Sequence, residues 1–499
     1  MKTKNIILSC TLLGTLALQS CDSYLDIEPK GQALLNTTED YLGLLEDVSP
    51  NYDISDSWYM CNEASWRQLE ELKSYTYPMK SVGYFWDESF DRANYTIISD
   101  LYNECYNRIT KYNALIDGIN EAKGSEEDKQ LGMAQAKLMR AYNYFFLVNT
   151  FAKPYNPATA YDTNGIIVRE KMFSSIEDKG VQQSVGYTYD FIQKDIDDAI
   201  EGLPHNATNV YRPDRTLGLA FKAKVQLFRR QYDDCIQTCE VALQEAKEAG
   251  HKLWDMNTEY KQYAPALKQM GYPEYAIDEP QYAGLNDQIE SIWKQRVTHA
   301  YNDPEQLIYL FCTNQGDPYP MYVTKSVLDL FGNTVAEKNI DLRYRYCIRY
   351  KAQHATAPEG DQDFATLSIK WNPCGMRLSE VYLMLAECYA RKGDAQSIQK
   401  AMDYLEQLRA CRLVKGKYEH LTANDKNTAL RLVREERKRE LFLTCNGFFD
   451  MRRFMTEFNE TESKTIEGKT YTLKPDSHLL TFPFPLKAIQ TSDLTQNSK

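Results

Sequence analysis

The 499-residue sequence predicts a mainly α-helical fold, a scaffold of repeated helix pairs interrupted by irregular, loop-rich insertions. Three observations carry this prediction. Apolar residues recur at alternating spacings of three and four along several long segments, which places them on one face of a helix. These segments come in twos, parted by short breaks of Gly, Asp, Arg or Gln. In two other stretches, about 50–95 and about 250–370, helical stripes shorten and tyrosine, proline and glycine accumulate.

The elements follow in order. Lys2 and Lys4 precede an apolar run from Ile6 to Leu18, so residues 1–20 predict a secretory signal peptide, too short to count as a membrane span. The run ends in Leu18-Gln19-Ser20-Cys21, which resembles a bacterial lipobox and makes Cys21 the expected lipidation site. An ordinary signal with a chance cysteine is the alternative. Residues 21–36 should be an extended tether, because Pro29 and Gly31 resist helix. The remainder, 37–499, reads as one domain with helix pairs at about 101–249 and 377–453. Leu131, Ala134, Leu138, Ala141, Phe145 and Val148 make one stripe. Ala220, Ala223 and Leu227 make another, and after a break at Arg230-Gln231 Ile236, Cys239, Leu243 and Ala246 resume it. A third pair carries Leu378, Val381, Leu385 and Cys388 before the turn Lys392-Gly393-Asp394. Small residues at close approach and a short Gly-Asp turn make these pairs resemble tetratricopeptide repeats.

Composition narrows the function. The formal charge of −12 becomes −14 once the leader takes away its two lysines and no acid. Such an acidic, well-mixed chain lacks the clustered cations that nucleic acid demands. Twelve cysteines in an exported chain invite disulfides, but they are scattered through helical stripes, and free buried thiols are the expectation. The six histidines are far apart, and no His-Glu-x-x-His, Cys-x-x-Cys, Gly-x-Ser-x-Gly or Gly-x-Gly-x-x-Gly pattern occurs. No cofactor and no metal are therefore expected. Gly468-Lys469-Thr470 matches only the end of a phosphate-binding loop, with Ser463 where the leading glycine belongs. Acidic pairs such as Glu70-Glu71 and Asp197-Asp198 arise freely among 70 acids, so a solvated helix face outweighs a glycosidase pair. The run Arg434 to Glu440 reads as structural, with Glu435 and Arg439 at helical ion-pair spacing.

An ordered series of features resembles one family, the SusD/RagB-type nutrient-binding outer-membrane lipoproteins of Bacteroidetes. Cys21-Asp22-Ser23-Tyr24-Leu25-Asp26 looks like its lipidated, acidic start. Tyr106, Ile109 and Asn113 resemble its first helix, Arg140, Ala141, Tyr144 and Phe145 its second, and Leu203-Pro204 the end of its third. Arg377 to Leu383 with Ala386-Glu387, then Glu436-Arg437 and Glu440-Leu441, resemble its C-terminal signatures. Phe482-Pro483-Phe484-Pro485 and Gln496-Asn497 resemble its closing elements. Two positions depart from the pattern. Cys445-Asn446-Gly447-Phe448-Phe449 lacks an arginine and a glutamate, so one buried ion pair is expected to be missing, and Phe151-Ala152-Lys153-Pro154-Tyr155 stands for a Tyr-Gly-x-Pro-Pro turn.

The resemblance implies an oligosaccharide-binding lipoprotein, without catalysis, that serves a TonB-dependent SusC-like transporter from the outer face of the outer membrane. Peptide binding is the alternative ligand class and a glycoside hydrolase the alternative activity. It also implies that ligand sits on loops from the early segment and the middle insertion. Aromatic rings suit the apolar C–H face of a pyranose, with Asn, Asp and Arg satisfying its hydroxyls. The candidates are Trp58, Tyr59, Trp66, Tyr84 and Trp86 in the first segment and Tyr319 and Tyr322 in the second, with Asn62, Arg67, Asp87 and Asn314 as polar partners. Trp293 and Trp254 read as packing residues.

Overall fold

The computed structural model describes residues 35–46, 52–66, 69–172, 179–259, 304–310, 312, 322–338, 340–349, 366–367 and 372–497. Helix α1 (Ser55–Met60), strand β1 (Ala64–Ser65) and helix α2 (Pro78–Phe85) form an N-terminal segment. Next come α3 (Asp100–Gly118), α4 (Glu126–Phe151), the strands β2 (Asn164–Ile167) and β3 (Gln182–Ser184), then α5 (Val185–Ile200), α6 (Arg215–Phe228) and α7 (Tyr232–Ala249). The middle insertion contributes β4 (Gln306–Ile308), β5 (Tyr322–Val323), β6 (Ile348–Arg349) and β7 (Thr366–Leu367). Then β8 (Met376–Arg377), α8 (Leu378–Lys392), α9 (Ala395–Arg412), α10 (Lys426–Leu441) and α11 (Cys445–Phe458) follow, closed by the hairpin β9 (Glu462–Ile466) and β10 (Lys469–Leu473).

The predicted stripes are the core. Ala134, Leu138, Ala141, Phe145 and Val148 of α4 are buried, as are Ala220, Ala223 and Leu227 of α6. Helices pack in sequence order, α3 on α4, α4 on α5, α5 on α6 and α6 on α7, and then α7 on α8 and α8 on α9 and α10. This is the predicted stack of helix pairs. The helix starts are set by short polar side chains that accept from free backbone N–H groups. Ser99, Ser125, Ser184, Asp214, Asp394 and Thr444 cap α3, α4, α5, α6, α9 and α11 in this way. Gly393 ends α8 at φ +81°, a left-handed conformation that glycine adopts without strain, and Asp394 starts α9 at once. The tail is stitched to the stack, because Gln496 bonds both backbone groups of Phe484 at 2.9 and 3.0 Å.

The charges of the C-terminal signatures are buried. Glu440 accepts from Arg343 at 2.8 Å and from Arg412 at 2.9 and 3.0 Å, and Arg377 lies 3.0 Å away. Arg412 also bonds Glu305 at 2.5 Å, and Arg343 pairs with Asp341 and Glu436. These seven residues lock the middle insertion onto α9 and α10. A second cluster joins Glu387 to Arg453 at 2.5 Å and to Arg391 at 2.9 Å. Glu435 and Arg439 approach to 3.5 Å, as their spacing predicted. The nine cysteines whose side chains are described are free thiols, all buried but Cys411. Gly468-Lys469-Thr470 is the turn and first strand residues of the terminal hairpin, with Gly468 at φ +79°, so the residues form no phosphate cradle.

A cleft between the early segment and the last helix pair

The early segment and the middle insertion meet at a small sheet of order β1-β5-β7-β6. Antiparallel pairing sets Ala64 opposite Val323 and Ser65 opposite Tyr322. Above it, α1 ends in a tight turn at Cys61-Asn62, with Asn62 at φ +58°, a conformation Asn tolerates better than most residues. The Asn62 carbonyl accepts from Thr324 Oγ1 at 2.6 Å, and Asn62 Nδ2 donates to Ser326 Oγ at 3.1 Å. A backbone bond from Thr324 N to the Glu63 carbonyl at 3.1 Å completes the clasp.

Beside this turn opens a cleft of about 580 Å³. One wall is Cys61, Asn62, Glu63 and Trp86; the other is α10 and α11, through Leu430, Arg431, Arg434, Lys438, Met451 and Phe454. Trp86 caps α2 at φ +46°, strained for a bulky residue, and its Nε1–H donates to the Met60 carbonyl at 2.8 Å. Lys464 lies 4.0 Å from the centre of its ring, and burial pushes that ammonium down to about 7. Arg434 is held by Glu460 at 2.5 and 2.8 Å and stacks over Phe454. Arg437 is held by Asp450 at 2.9 and 3.1 Å. Lys438 faces the cleft with no ion pair among the described residues. Glu63 is 1% exposed, and its carboxylate accepts the Leu443 N–H at 2.8 Å. Burial raises its pKa to about 7 against the opposing pull of Lys438. A Cβ on Gly447 would overlap both oxygens of this carboxylate, so the close approach requires glycine.

The sequence candidates divide sharply. Trp58, Tyr59 and Tyr322, at 0, 1 and 1% exposure, are enclosed by protein and offer no open ring face, against the expectation of exposed ligand contacts. Trp58 Nε1 donates to the Thr444 carbonyl at 3.3 Å, so its polar edge is occupied as well. Trp66 is buried too, with Nε1 on Glu71 at 2.7 Å and Lys80 over its ring at 4.6 Å. Tyr84 is half-buried against Phe85, and Asp87 is spent on Ser89 and Tyr75. Asn62 and Trp86 do line the cleft. Arg67, Asn314 and Tyr319, like Cys21 and Trp293, lie outside the described residues, and Trp254 is buried as predicted. The α10–α11 wall was missed by sequence reasoning. Its available signal was Arg431, Arg434 and Lys438 at positions i, i+3 and i+7 of one helix.

A helix-pair scaffold holding an open cleft against a loop-rich insertion defines a repeat-scaffold binding architecture, and comparison with known proteins places it. Residues 23–227 match a family described as SusD-like, starch-binding and associating with the outer membrane, and residues 254–490 match the SusD family. The chain belongs to the SusD family. A SusD superfamily protein from Bacteroides vulgatus is 15% identical, with a TM-score of 0.67 over 93% of this chain and 99% of that one. Another from Bacteroides thetaiotaomicron is 18% identical, with a TM-score of 0.67 over 93% of this chain and 100% of that one. A laminarin-binding SusD-like protein is 17% identical, with a TM-score of 0.59 over 93% and 99%. Among curated proteins none matches this sequence. No helix among the described residues is long and apolar enough to cross a membrane.

Proposed function

We propose that this protein captures an oligosaccharide at the cell surface and passes it to a SusC-like, TonB-dependent outer-membrane transporter, held there by acyl chains on Cys21. The cleft carries the reading. It is large enough for a few sugar rings, and it mixes apolar and aromatic wall (Trp86, Met451, Phe454, Phe458) with the polar groups of Asn62, Asn427 and Lys438. That pairing suits a pyranose, one face of which is apolar while its rim is hydroxyl. The laminarin-binding neighbour supports a glycan as the ligand class. Arg67, Asn314 and Tyr319 join the proposal as contributions from the adjoining loops.

Calorimetry of the mature chain against a panel of oligosaccharides tests it. Binding of one glycan class is expected, weakened at least tenfold by Phe458→Ala or by Asn427→Ala, both at the cleft, with the melting temperature unchanged. No release of shorter sugars is expected over the same incubation. Equal affinity in both variants would remove the cleft from the proposal. The charged rim, with Arg431 and Lys438, favours peptides as the second ligand class, and a peptide panel run in parallel separates the two.

A further inference from the structure

Beyond the cleft, a small cavity of about 10 Å³ lies where the ends of α4 and α6 meet α11. Asn149, Pro154, Tyr155, Arg230, Phe449 and Arg452 line it. Arg452 is 1% exposed. Its Nη2 donates to the Ala152 carbonyl, while Nε and Nη1 have no partner in the protein. Among the described residues no carboxylate pairs with it; its guanidinium lies 5.3 Å from the centre of the Phe448 ring and interacts with the neutral Tyr189 hydroxyl. Arg230, with φ +62°, likewise has no ion pair among the described residues.

The neighbouring charges do not supply what is missing. Glu387 and Asp450 are taken by Arg453, Arg391 and Arg437. Glu457, which also lines the cavity, is held by Arg391 at 2.6 and 3.0 Å and by Tyr232 at 3.1 Å. Asn149 has spent its amide on the Phe145 carbonyl and its oxygen on Tyr189. Three guanidiniums, those of Arg391, Arg437 and Arg453, thus occupy the three carboxylates, and Arg452 and Arg230 pair with none of them. A buried charge left without a counter-charge is strongly disfavoured.

We propose that this cavity is a binding site for one small monovalent anion of the halide class, held between Arg452 and Arg230. Its size decides the class, since it accommodates about one water-sized particle and so excludes phosphate, sulfate or a carboxylate. A water molecule fits but brings no charge. Burial pushes the Arg452 guanidinium down to about 9, the response of a cation without its partner, and a bound halide would reverse it.

The test is a crystal of the full chain grown without chloride and soaked in sodium bromide. An anomalous peak beside Arg452 is expected, and water density there without anomalous signal overturns the proposal. In solution, the melting temperature should rise saturably with chloride over gluconate at equal ionic strength. Arg230→Gln, which leaves the buried Arg452 intact, should raise the half-saturating chloride concentration at least tenfold. An unchanged half-saturation refutes the pairing of the two arginines.

Discussion

Replacing Glu63 with Gln removes a carboxyl that the fold holds above its ordinary range. The shift from 4.5 to about 7 arises first from burial, with Lys438, the Leu443 N–H and Cys61 pulling the other way and Asp450 adding to it. At about 1.4 kcal/mol per pKa unit, the shift corresponds to about 3 kcal/mol. Its sign is set by proton binding. Between pH 4.5 and about 7 the folded protein binds a proton that the unfolded chain has lost, so stability falls as pH rises through that window and then levels. The amide of the Glu63→Gln variant carries no such dependence and keeps an oxygen for the Leu443 N–H. The variant should therefore match the native chain near pH 4.5 and exceed it by up to about 3 kcal/mol near pH 8. Urea unfolding followed by tryptophan fluorescence across this range reads the difference. Parallel pH profiles for the two proteins would refute the account of a buried, partly protonated Glu63.

Glu440→Gln should cost about 3–5 kcal/mol in the same assay, because Arg343, Arg377 and Arg412 would lose their shared acceptor in the core. The depressed pKa of Glu440 adds that native stability is full above the ordinary carboxylate range and falls as pH drops below it, a slope the variant should lose in part. Trp58→Ala should cost about 3–5 kcal/mol as a core truncation while leaving the ligand affinity of the folded protein unchanged; weakened binding would restore Trp58 as a contact. Gly447→Ala should destabilise by about 1–3 kcal/mol through its clash with the Glu63 carboxylate. Most of that loss should vanish in a Glu63→Ala background, and an additive double variant would refute the clash.

The scaffold was readable because its signals are local. A stripe, a cap and a turn each occupy a few consecutive residues, as Lys392-Gly393-Asp394 shows in ending one helix and starting the next. The site was less readable because burial is decided by distant chain. Trp58 is closed in by Thr444, 386 residues away, and nothing near Trp58 announces it. The run Arg434 to Glu440 was legible as structural, yet its helix serves two sides. Glu436 and Glu440 face the core, whereas Arg434 and Lys438 face the cleft. Asn446, which stands where the family pattern has glutamate before Gly447, is buried and bonded to Thr444, and in the same corner Glu63 rests against the glycine.

The charges around Glu440 have a consequence for how the chain assembles. Glu305 and Arg343 come from the insertion, while Arg412 and Glu440 come from the last helices, so neither part can bury its charges until the other arrives. Assembly is thereby made all-or-none across a segment of otherwise irregular sequence. The same few buried ions thus certify that the insertion and the stack have closed on each other.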